Sequence, residues 1–338
     1  MGDAFDAPTS IANGIERFAR RRTGDAWATH GRRIADASPT HRAAIRGTSL
    51  GPSIEPVGLL LLVDLDGVVY RGDDPVPGVA AVLATRAAAG DDVVYVTNNS
   101  MHYRADYVTR LTELGAPVAP DRIVSAPRAT ALYLQERHPE VRRVLAVGAG
   151  GLDRELRDVG LEVVNAGFAA ERMAKEGIDG VAAAGRPDAV VAGVDPQLTY
   201  LRIAAAADNV RAGARFIATN RDPVYPVEVG LRPGAGSVVA AIEVASGVSP
   251  ITIGKPEPLL MEEAAHAVGR DPREAIVIGD GIVTDLAAAR AVGARSILML
   301  TGVTTGAALE ALPSGDRPTA IAADAGELAQ LLEELASA

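Results

Sequence analysis

The sequence predicts a doubly wound parallel α/β sheet with an inserted α/β cap domain, on the basis of three observations. From Leu59 onward, short apolar runs alternate with alanine-rich stretches of helical character. The runs are continuously apolar, which is typical of parallel strands covered on both faces. Polar residues and glycines gather where several runs end, at the edge where open α/β sheets bind ligands. The predicted strands are Leu59–Leu65, Val93–Thr97, Val144–Val147, Ala189–Gly193, Phe216–Thr219, Ile276–Gly279 and Ser296–Leu300.

Composition sets the first limits on function. The net charge of −10 leaves no basic surplus to neutralise a nucleic-acid backbone. The absence of cysteine excludes disulfides, thiolate metal ligands and a cysteine nucleophile. No secretory signal is recognisable, and no apolar run approaches the roughly 20 residues that span a bilayer. We therefore expect a cytoplasmic protein with neither a nucleic-acid nor a membrane partner.

Residues 1–56 differ from the rest of the chain. They contain an arginine cluster, Arg20–Arg22, and the single tryptophan, Trp27, but no strand-like run. This composition favours a flexible N-terminal extension, and a partner-binding arm is the alternative. We expect a catalytic core over residues 57–136 and 249–338, with the cap over residues 137–248.

Asp64 and Asp66 are the first candidate site residues. Two carboxylates directly after a buried strand are costly unless cations or hydrogen-bond donors surround them. At a strand end both can approach one ligand, so that one attacks as a nucleophile and the other transfers a proton. The following Gly67 lets the backbone come close to an anion. Alone, the motif fits a loop carboxylate pair or a calcium-binding loop equally well.

The segment Thr97–Asn99 is the second candidate. It supplies a hydroxyl, two amides and backbone N–H groups at the end of a predicted strand. A short turn into the next helix would suit an anion. Taken alone, an ordinary helix cap is the competing interpretation.

Lys255 is the third candidate, because lysine is rare in this chain. Lys175 and Lys255 are the two lysines among 33 basic residues. Arginine supplies almost every other positive charge in the chain. A remaining lysine is therefore expected at a position that requires a compact ammonium. The flanking Gly254 and Pro256 restrict the backbone. A solvated loop lysine is the alternative.

Asp280 and Asp285 complete the set. Asp280 ends an apolar run, and Asp285 follows within about one helical turn. Carboxylate oxygens without histidine or cysteine suit Mg²⁺, which keeps several waters and takes one or two carboxylates. A helix cap is a reasonable reading of Asp285 alone.

In this order the four segments resemble the motifs of the haloacid dehalogenase superfamily. The chain looks most like the branch with a large α/β (type C2) cap, which includes phosphatases for 4-nitrophenyl phosphate, glycerol 3-phosphate, phosphoglycolate, pyridoxal phosphate and sugar phosphates. The resemblance runs from about Leu59 onward and implies a Rossmann-like core, with the cap inserted between the second and third motifs. It extends to Val124–Ala126, Ile217–Asn220, Pro233–Ser237 and Leu300–Val303.

The resemblance also implies residue roles. Asp64 would be the nucleophile and a ligand of Mg²⁺, and Asp66 would be the general acid and base, with its backbone carbonyl on the metal. The dehalogenases of this superfamily lack the second aspartate, so Asp66 favours phosphoryl transfer over halide displacement. Family members usually carry a polar residue where this chain has Gly281. The other implied roles are phosphoryl binding by Thr97 and Asn98, charge compensation by Lys255, metal binding by Asp280 and support of that site by Asp285.

Three further predictions concern the cap. Arg221 and Asp222 lie in the loop Asn220–Pro226, and we expect them to select substrates, although a plain turn is the alternative. Ser237 is predicted to cap a helix N-terminus. The segment from Glu171 to Pro187 is predicted to form a surface loop.

The expected function is Mg²⁺-dependent hydrolysis of a small phosphorylated metabolite through an aspartyl-phosphate. A receiver-like phosphoacceptor domain and a catalytically inactive binding scaffold are the alternatives. The resemblance is also compatible with a homodimer formed through the cap.

Overall fold

A computed structural model describes residues 58–176, 186–227 and 230–337 of the chain. The extension predicted over residues 1–56 lies outside these ranges. The described residues all belong to one unit, residues 54–338. Within the described ranges, no helix combines the length and the apolar character that crossing a bilayer requires.

The strands follow one another along the chain with helices between most of them. They are β1 (Leu60–Asp64), β2 (Tyr70–Arg71), β3 (Asp74–Pro75), β4 (Asp92–Thr97), β5 (Ile123–Ser125), β6 (Arg143–Val147), β7 (Glu162–Asn165), β8 (Ala189–Ala192), β9 (Arg215–Ala218), β10 (Val224–Pro226), β11 (Leu231–Pro233), β12 (Ile251–Thr252), β13 (Ala275–Gly279), β14 (Arg295–Met299) and β15 (Ala320–Ala322).

The helices include one π-type turn, Ile282–Leu286, directly after β13. Three single 3₁₀ turns lie at Pro120–Arg122, Pro272–Glu274 and Ser314–Asp316. The α-helices are α1 (Val79–Ala88), α2 (Arg104–Glu113), α3 (Ala126–Arg137), α4 (Gly150–Asp158), α5 (Ala166–Glu176), α6 (Tyr200–Arg211), α7 (Ala235–Ser246), α8 (Leu259–His266), α9 (Ala287–Val292), α10 (Gly306–Glu310) and α11 (Ala325–Ser337).

The core sheet has six parallel strands in the order β15-β14-β13-β1-β4-β5. β1 is buried throughout, and its successive side chains enter different apolar clusters. Leu60 and Leu62 pack towards α3 and α8, whereas Leu61 and Val63 pack towards α1 and α11. Because both faces are covered, the strand is continuously apolar, and the predicted doubly wound parallel sheet is confirmed.

The cap contains a second parallel sheet, with the strand order β12-β9-β8-β6-β7. Its central strand β6 is also covered on both faces: Val144 belongs to the apolar cluster that includes α3 and α8, while Leu145 packs with α6 and α7. The chain leaves the core after α3 and returns through β12. The cap is therefore an insertion, and its return strand leads directly into the segment that carries Lys255.

One local prediction about the cap is wrong, and a second is wrong in part. The helix α7 begins at Ala235 with Gly234 as its N-cap, and Ser237 lies inside the helix, where its hydroxyl donates to the carbonyl of Pro223 at 3.1 Å. The start of the predicted surface loop is helical, because α5 extends to Glu176. The rest of that prediction, over residues 177–185, lies outside the described residues.

Candidate active site

Separate segments of the chain meet at the carboxyl edge of the core sheet. β1 ends at Asp64, β4 ends at Thr97, and β13 runs into Asp280. Since β13, β1 and β4 are neighbours, these residues lie side by side. Lys255 reaches the same edge from the segment between β12 and α8. Asp64, Asp280 and Lys255 are buried, with only 7%, 4% and 3% of their surfaces exposed.

The ammonium of Lys255 bridges two carboxylates. Its Nζ donates to Oδ1 of Asp64 and to Oδ1 of Asp285, each at 2.7 Å. The other oxygen of Asp285 accepts hydrogen bonds from Gly281 N at 3.0 Å and from Thr284 Oγ1 at 3.1 Å. Both oxygens of Asp285 are therefore held by protein groups, and its position is fixed by the π-type turn.

The charges in this cluster do not balance. Burial raises the pKa of Asp64 well above its ordinary value; Lys255 opposes this, and Asp285 and Asp280 add to it. Burial also raises the pKa of Asp280 to about 6, with a further contribution from Asp285. Desolvation disfavours the Lys255 ammonium, but Asp285 and Asp64 outweigh it and raise the pKa of Lys255. One ammonium thus faces a surplus of buried carboxylates.

This surplus of negative charge is what a bound metal ion would balance. Ligand atoms of Asp64, Asp280 and Asp285 all lie within 4.8 Å of one another. Oδ2 of Asp64 and Oδ1 of Asp280 accept no hydrogen bond from another described residue, so they are free to bind a cation. A buried set of carboxylate oxygens, with no histidine or cysteine among its members, has the chemistry that Mg²⁺ prefers. An added cation would also relieve the repulsion that raises these pKa values.

Asp66 lies in the turn after β1, exposed to the space above the cluster. Although the residue is exposed, it lines a cavity whose walls exclude part of the surrounding water. This desolvation raises the pKa of Asp66, against the opposing effects of Arg110, Lys255 and His102. A carboxylic acid with a raised pKa keeps its proton to a higher pH, as a general acid requires.

The side chains of Thr97 and Asn98 differ in whether they are free to bind a ligand. Oγ1 of Thr97 accepts a hydrogen bond from Asn99 N at 3.1 Å, which leaves its O–H free to donate to an anion. The side chain of Asn98 is used elsewhere, in bonds to Lys255 and Asp222. The predicted phosphoryl-binding role of Asn98 therefore stays a prediction, and it would have to use the backbone N–H rather than the side chain.

A cavity of about 420 Å³ lies between the core and the cap over these residues. Asp222 lines this cavity, but Arg221 does not, because its guanidinium is hydrogen-bonded to Glu243 on α7. The predicted selection role of Arg221 has no geometric support, and that of Asp222 stays a prediction. Further lining residues from the cap are Val194, Asn220, Val224, Tyr225, Gly234 and Ala235.

Sequence reasoning missed Arg110, which contacts the hairpin that follows Asp66. Its Cζ lies 3.6 Å from the centroid of the Tyr70 ring, and its Nη2 donates to the carbonyl of Gly72 in the β2–β3 hairpin. Arg110 therefore holds the hairpin that follows Asp66. Nothing in the sequence distinguishes it from the other arginines.

Val303 and Thr304 were also missed as individual residues. The N–H of Val303 donates to Oδ2 of Asp280 at 2.7 Å, and the hydroxyl of Thr304 donates to the main-chain carbonyl of Asp280 at 2.5 Å. They orient the metal-ligand candidate from the loop after β14. For Val303 the signal was present, since Leu300–Val303 belongs to the resemblance, but Thr304 lies just beyond that segment.

Comparisons with known proteins point to one family of hydrolases. A family model described as haloacid dehalogenase-like hydrolase matches residues 61–162, and one described as HAD-hydrolase-like matches residues 252–328. An acid sugar phosphatase of Staphylococcus aureus is 36% identical over 244 residues, covering 72% of this chain and 87% of that protein.

Solved structures are similar over most of the described fold. A p-nitrophenyl phosphatase from Archaeoglobus fulgidus has a TM-score of 0.71 and 29% identity, over 82% of this chain and 100% of that one. A glycerol phosphate phosphatase from Mycobacterium tuberculosis, in complex with magnesium, has a TM-score of 0.70 and 35% identity, over 83% of this chain and 79% of that one.

The fold and the site define a hydrolase with a parallel α/β core and a large cap. The chain belongs to the haloacid dehalogenase-like hydrolases, which confirms the family predicted from the four motifs.

Proposed function

We propose that this chain is a Mg²⁺-dependent phosphatase that hydrolyses small phosphate monoesters through an aspartyl-phosphate on Asp64. The observation that carries the proposal is the bridge from Lys255 to Asp64 and Asp285, beside a buried Asp280. This arrangement places a buried carboxyl group at the end of a strand, facing a cavity large enough for a small metabolite. The Lys255 ammonium favours the charged form of Asp64, and a bound cation would favour it further. The sugar, nitrophenyl and glycerol phosphatase relatives support the same activity.

The metal would be held by Asp64, Asp280 and the main-chain carbonyl of Asp66. When bound, Mg²⁺ supplies positive charge that offsets the repulsion between a carboxylate and a phosphate dianion. The chain itself contributes the Lys255 ammonium, the Thr97 hydroxyl and the Asn98 N–H to the same end. These groups are fixed before substrate arrives, so little reorganisation is needed in the transition state.

In the first step a carboxylate oxygen of Asp64 attacks phosphorus. The new O–P bond forms as the ester P–O bond breaks, and Asp66 gives its proton to the departing alkoxide. An alkoxide is a poor leaving group, and protonation by a positioned acid contributes on the order of 10²–10⁴ in rate. The raised pKa of Asp66 suits this role.

In the second step water hydrolyses the aspartyl-phosphate. Asp66, now a carboxylate, takes a proton from the water as its oxygen bonds to phosphorus. The bond between phosphorus and Asp64 breaks, so inorganic phosphate leaves and both aspartates regain their starting states. The same carboxyl group thus serves both half-reactions.

The substrate class is a small phosphate monoester such as glycerol 3-phosphate, phosphoglycolate or a sugar phosphate. The cap wall of the cavity offers neutral and acidic groups, including Asn220, Asp222 and Tyr225, and Arg71 adds a cation from the core. A panel of these esters, assayed with the full chain, would rank them.

The central test is Asp64→Asn, assayed on 4-nitrophenyl phosphate with Mg²⁺ and after chelation. The amide is nearly isosteric but cannot attack phosphorus, so we expect turnover to fall at least about 100-fold. Wild-type activity should disappear with a chelator and return with Mg²⁺. A receiver-like domain or an inactive scaffold would give no sustained turnover in the wild type.

A further inference from the structure

The side chain of Asn98 holds the main chain of Lys255 at two points. Its Oδ1 accepts a hydrogen bond from Lys255 N at 2.8 Å, and its Nδ2 donates to Lys255 O at 2.9 Å. One planar amide therefore binds both backbone polar groups of one residue. The Lys255 ammonium has to reach both Asp64 and Asp285. By fixing the main chain of Lys255, the Asn98 amide determines the point from which the lysine side chain extends.

Asp222 of the cap fixes the orientation of that amide. Nδ2 of Asn98 also donates to Oδ2 of Asp222 at 2.9 Å, so both of its protons are used. A flipped amide would place its oxygen against the carboxylate of Asp222, which is repulsive. The carboxylate thus selects the one orientation in which Asn98 matches the donor and acceptor of Lys255.

The surrounding cap residues hold this arrangement in place. Nδ2 of Asn220 donates to the main-chain carbonyl of Asn98 at 2.6 Å, and Oδ1 of Asn220 accepts from Asp222 N at 3.0 Å. The N–H of Gly254 donates to the carbonyl of Thr219 at 2.7 Å. Gly254 has no room for a side chain, because a Cβ there would lie 2.5 Å from Oδ1 of Asn98 and 2.6 Å from the carbonyl oxygen of Thr219.

We propose that Asp222 is a positioning residue for Lys255, acting through Asn98. The proposal rests on the function proposed above and deepens it, since the cap would then contribute to the chemical step itself. It contrasts with substrate selection, the role expected for Asp222 from sequence. A selecting residue changes the order of preferred substrates, whereas a positioning residue changes turnover of all of them.

The experiment measures kcat and KM for 4-nitrophenyl phosphate and for two alkyl phosphates of different size. The variants of the full chain are Asp222→Ala, Asp222→Asn, Asn98→Ala and the double variant Asp222→Ala with Asn98→Ala. Glu162→Gln is the matched control, because it removes a cap carboxylate that is 59% exposed and remote from the cavity lining. Thermal unfolding of each variant reports whether it is folded.

We expect Asp222→Ala to lower kcat about 10- to 100-fold on every ester, with similar KM values and an unchanged substrate order. Asp222→Asn keeps an acceptor oxygen for Asn98 and should retain most of the turnover. If Asp222 acts through Asn98, the double variant loses no more than Asn98→Ala alone. Glu162→Gln should match the wild type.

Two results would overturn the proposal. One is a changed substrate order in Asp222→Ala with undiminished turnover of 4-nitrophenyl phosphate. The other is a double variant whose loss equals the product of the two single losses. Should Asp222→Ala not fold, Asp222→Ser replaces it in the same cycle. A wild type without phosphatase activity would instead contradict the proposed function, so the two failures are distinguishable.

Discussion

Lys255 donates a 2.7 Å hydrogen bond from Nζ to Oδ1 of Asp64, across 191 positions of sequence. The same ammonium holds Asp285 at the same distance. One side chain therefore brings a positive charge to the candidate nucleophile and also holds it in place. Its removal should affect both reactivity and stability, which makes it an informative position to change.

Lys255→Met keeps the length of the side chain and removes its charge. We expect turnover of 4-nitrophenyl phosphate to fall at least about 100-fold, since two buried carboxylates would then repel the incoming phosphate. Urea unfolding in the metal-free state should show a loss of about 3 kcal/mol, the usual order of the cost of breaking a buried ion pair. Lys255→Arg is the control for charge alone, and its planar guanidinium should not restore activity. Near wild-type turnover in Lys255→Met would contradict the assigned role.

Asp66→Asn should separate substrates by their leaving groups. The amide cannot donate a carboxylic proton, and an alkyl alkoxide needs that proton far more than 4-nitrophenolate does. We expect the first step on an alkyl phosphate to slow about 10²- to 10⁴-fold and that on 4-nitrophenyl phosphate to slow much less. Rapid-quench measurement of aspartyl-phosphate formation isolates this step from hydrolysis. Equal losses for both esters would remove the general-acid assignment.

Gly302→Ala should weaken metal binding. A Cβ at Gly302 would overlap Oδ2 of Asp280, so the carboxylate has to move away from its present place. We expect the apparent affinity for Mg²⁺, measured by calorimetry, to fall at least about tenfold. Gly306→Ala is the matched control, because a Cβ there meets no atom within 4 Å. An unchanged affinity in Gly302→Ala would show that Asp280 does not bind the metal.

Glu263 gives a prediction about pH and stability, away from the active site. It is 1% exposed, and among the described residues neither of its carboxylate oxygens accepts a hydrogen bond, although Arg137 Nη2 lies 3.5 Å from Oε1. Burial raises the pKa of Glu263 to about 7. The unfolded chain releases this proton at a lower pH, so the folded state loses stability as pH rises through about 7.

Glu263→Gln should therefore be more stable than the wild type at pH 9, by on the order of 1–3 kcal/mol, and the difference should shrink towards pH 5. Urea unfolding at several pH values measures it. Glu333→Gln, on an exposed face of α11, is the control for the substitution itself. A difference that does not depend on pH would contradict the raised pKa.

The fold was predictable where strands are covered on both faces. β1, β4 and β13 are continuously apolar, because each needs apolar side chains in both directions. β7 was missed since its exposed Glu162 interrupts the apolar pattern, and β5 and β15 were missed because three residues are too few for a pattern.

The candidate site was predictable where chemistry restricts the choice of residue. Buried aspartates at strand ends, and a lysine in a chain that otherwise uses arginine, have few structural explanations. The contact between Asn98 and Asp222 joins positions 124 residues apart and depends on how the cap sits over the core. Neither residue type indicates its partner, so this pairing required the structure.

Gly281 is a case where the structure explains a departure from the family pattern. A Cβ at this position would collide with Oγ1 of Thr284 and lie 3.0 Å from Oδ2 of Asp285. The same backbone N–H donates to that carboxylate oxygen. In this chain the tight turn around Asp285 therefore uses a glycine where relatives usually carry a polar residue.

The short strand β12 pairs with β9 of the cap, and three residues later the chain reaches Lys255. An engineer who transplants a foreign cap onto this core at residue 249 would also replace the partner strand of β12. The main chain that leads to Lys255 would then lose its hydrogen bonds to β9 and would have to pair with a strand of the foreign cap. If the second junction of the chimaera falls after Pro258, the donor cap keeps the donor segment that carries the lysine. Such a chimaera should retain more activity than one joined at residue 249.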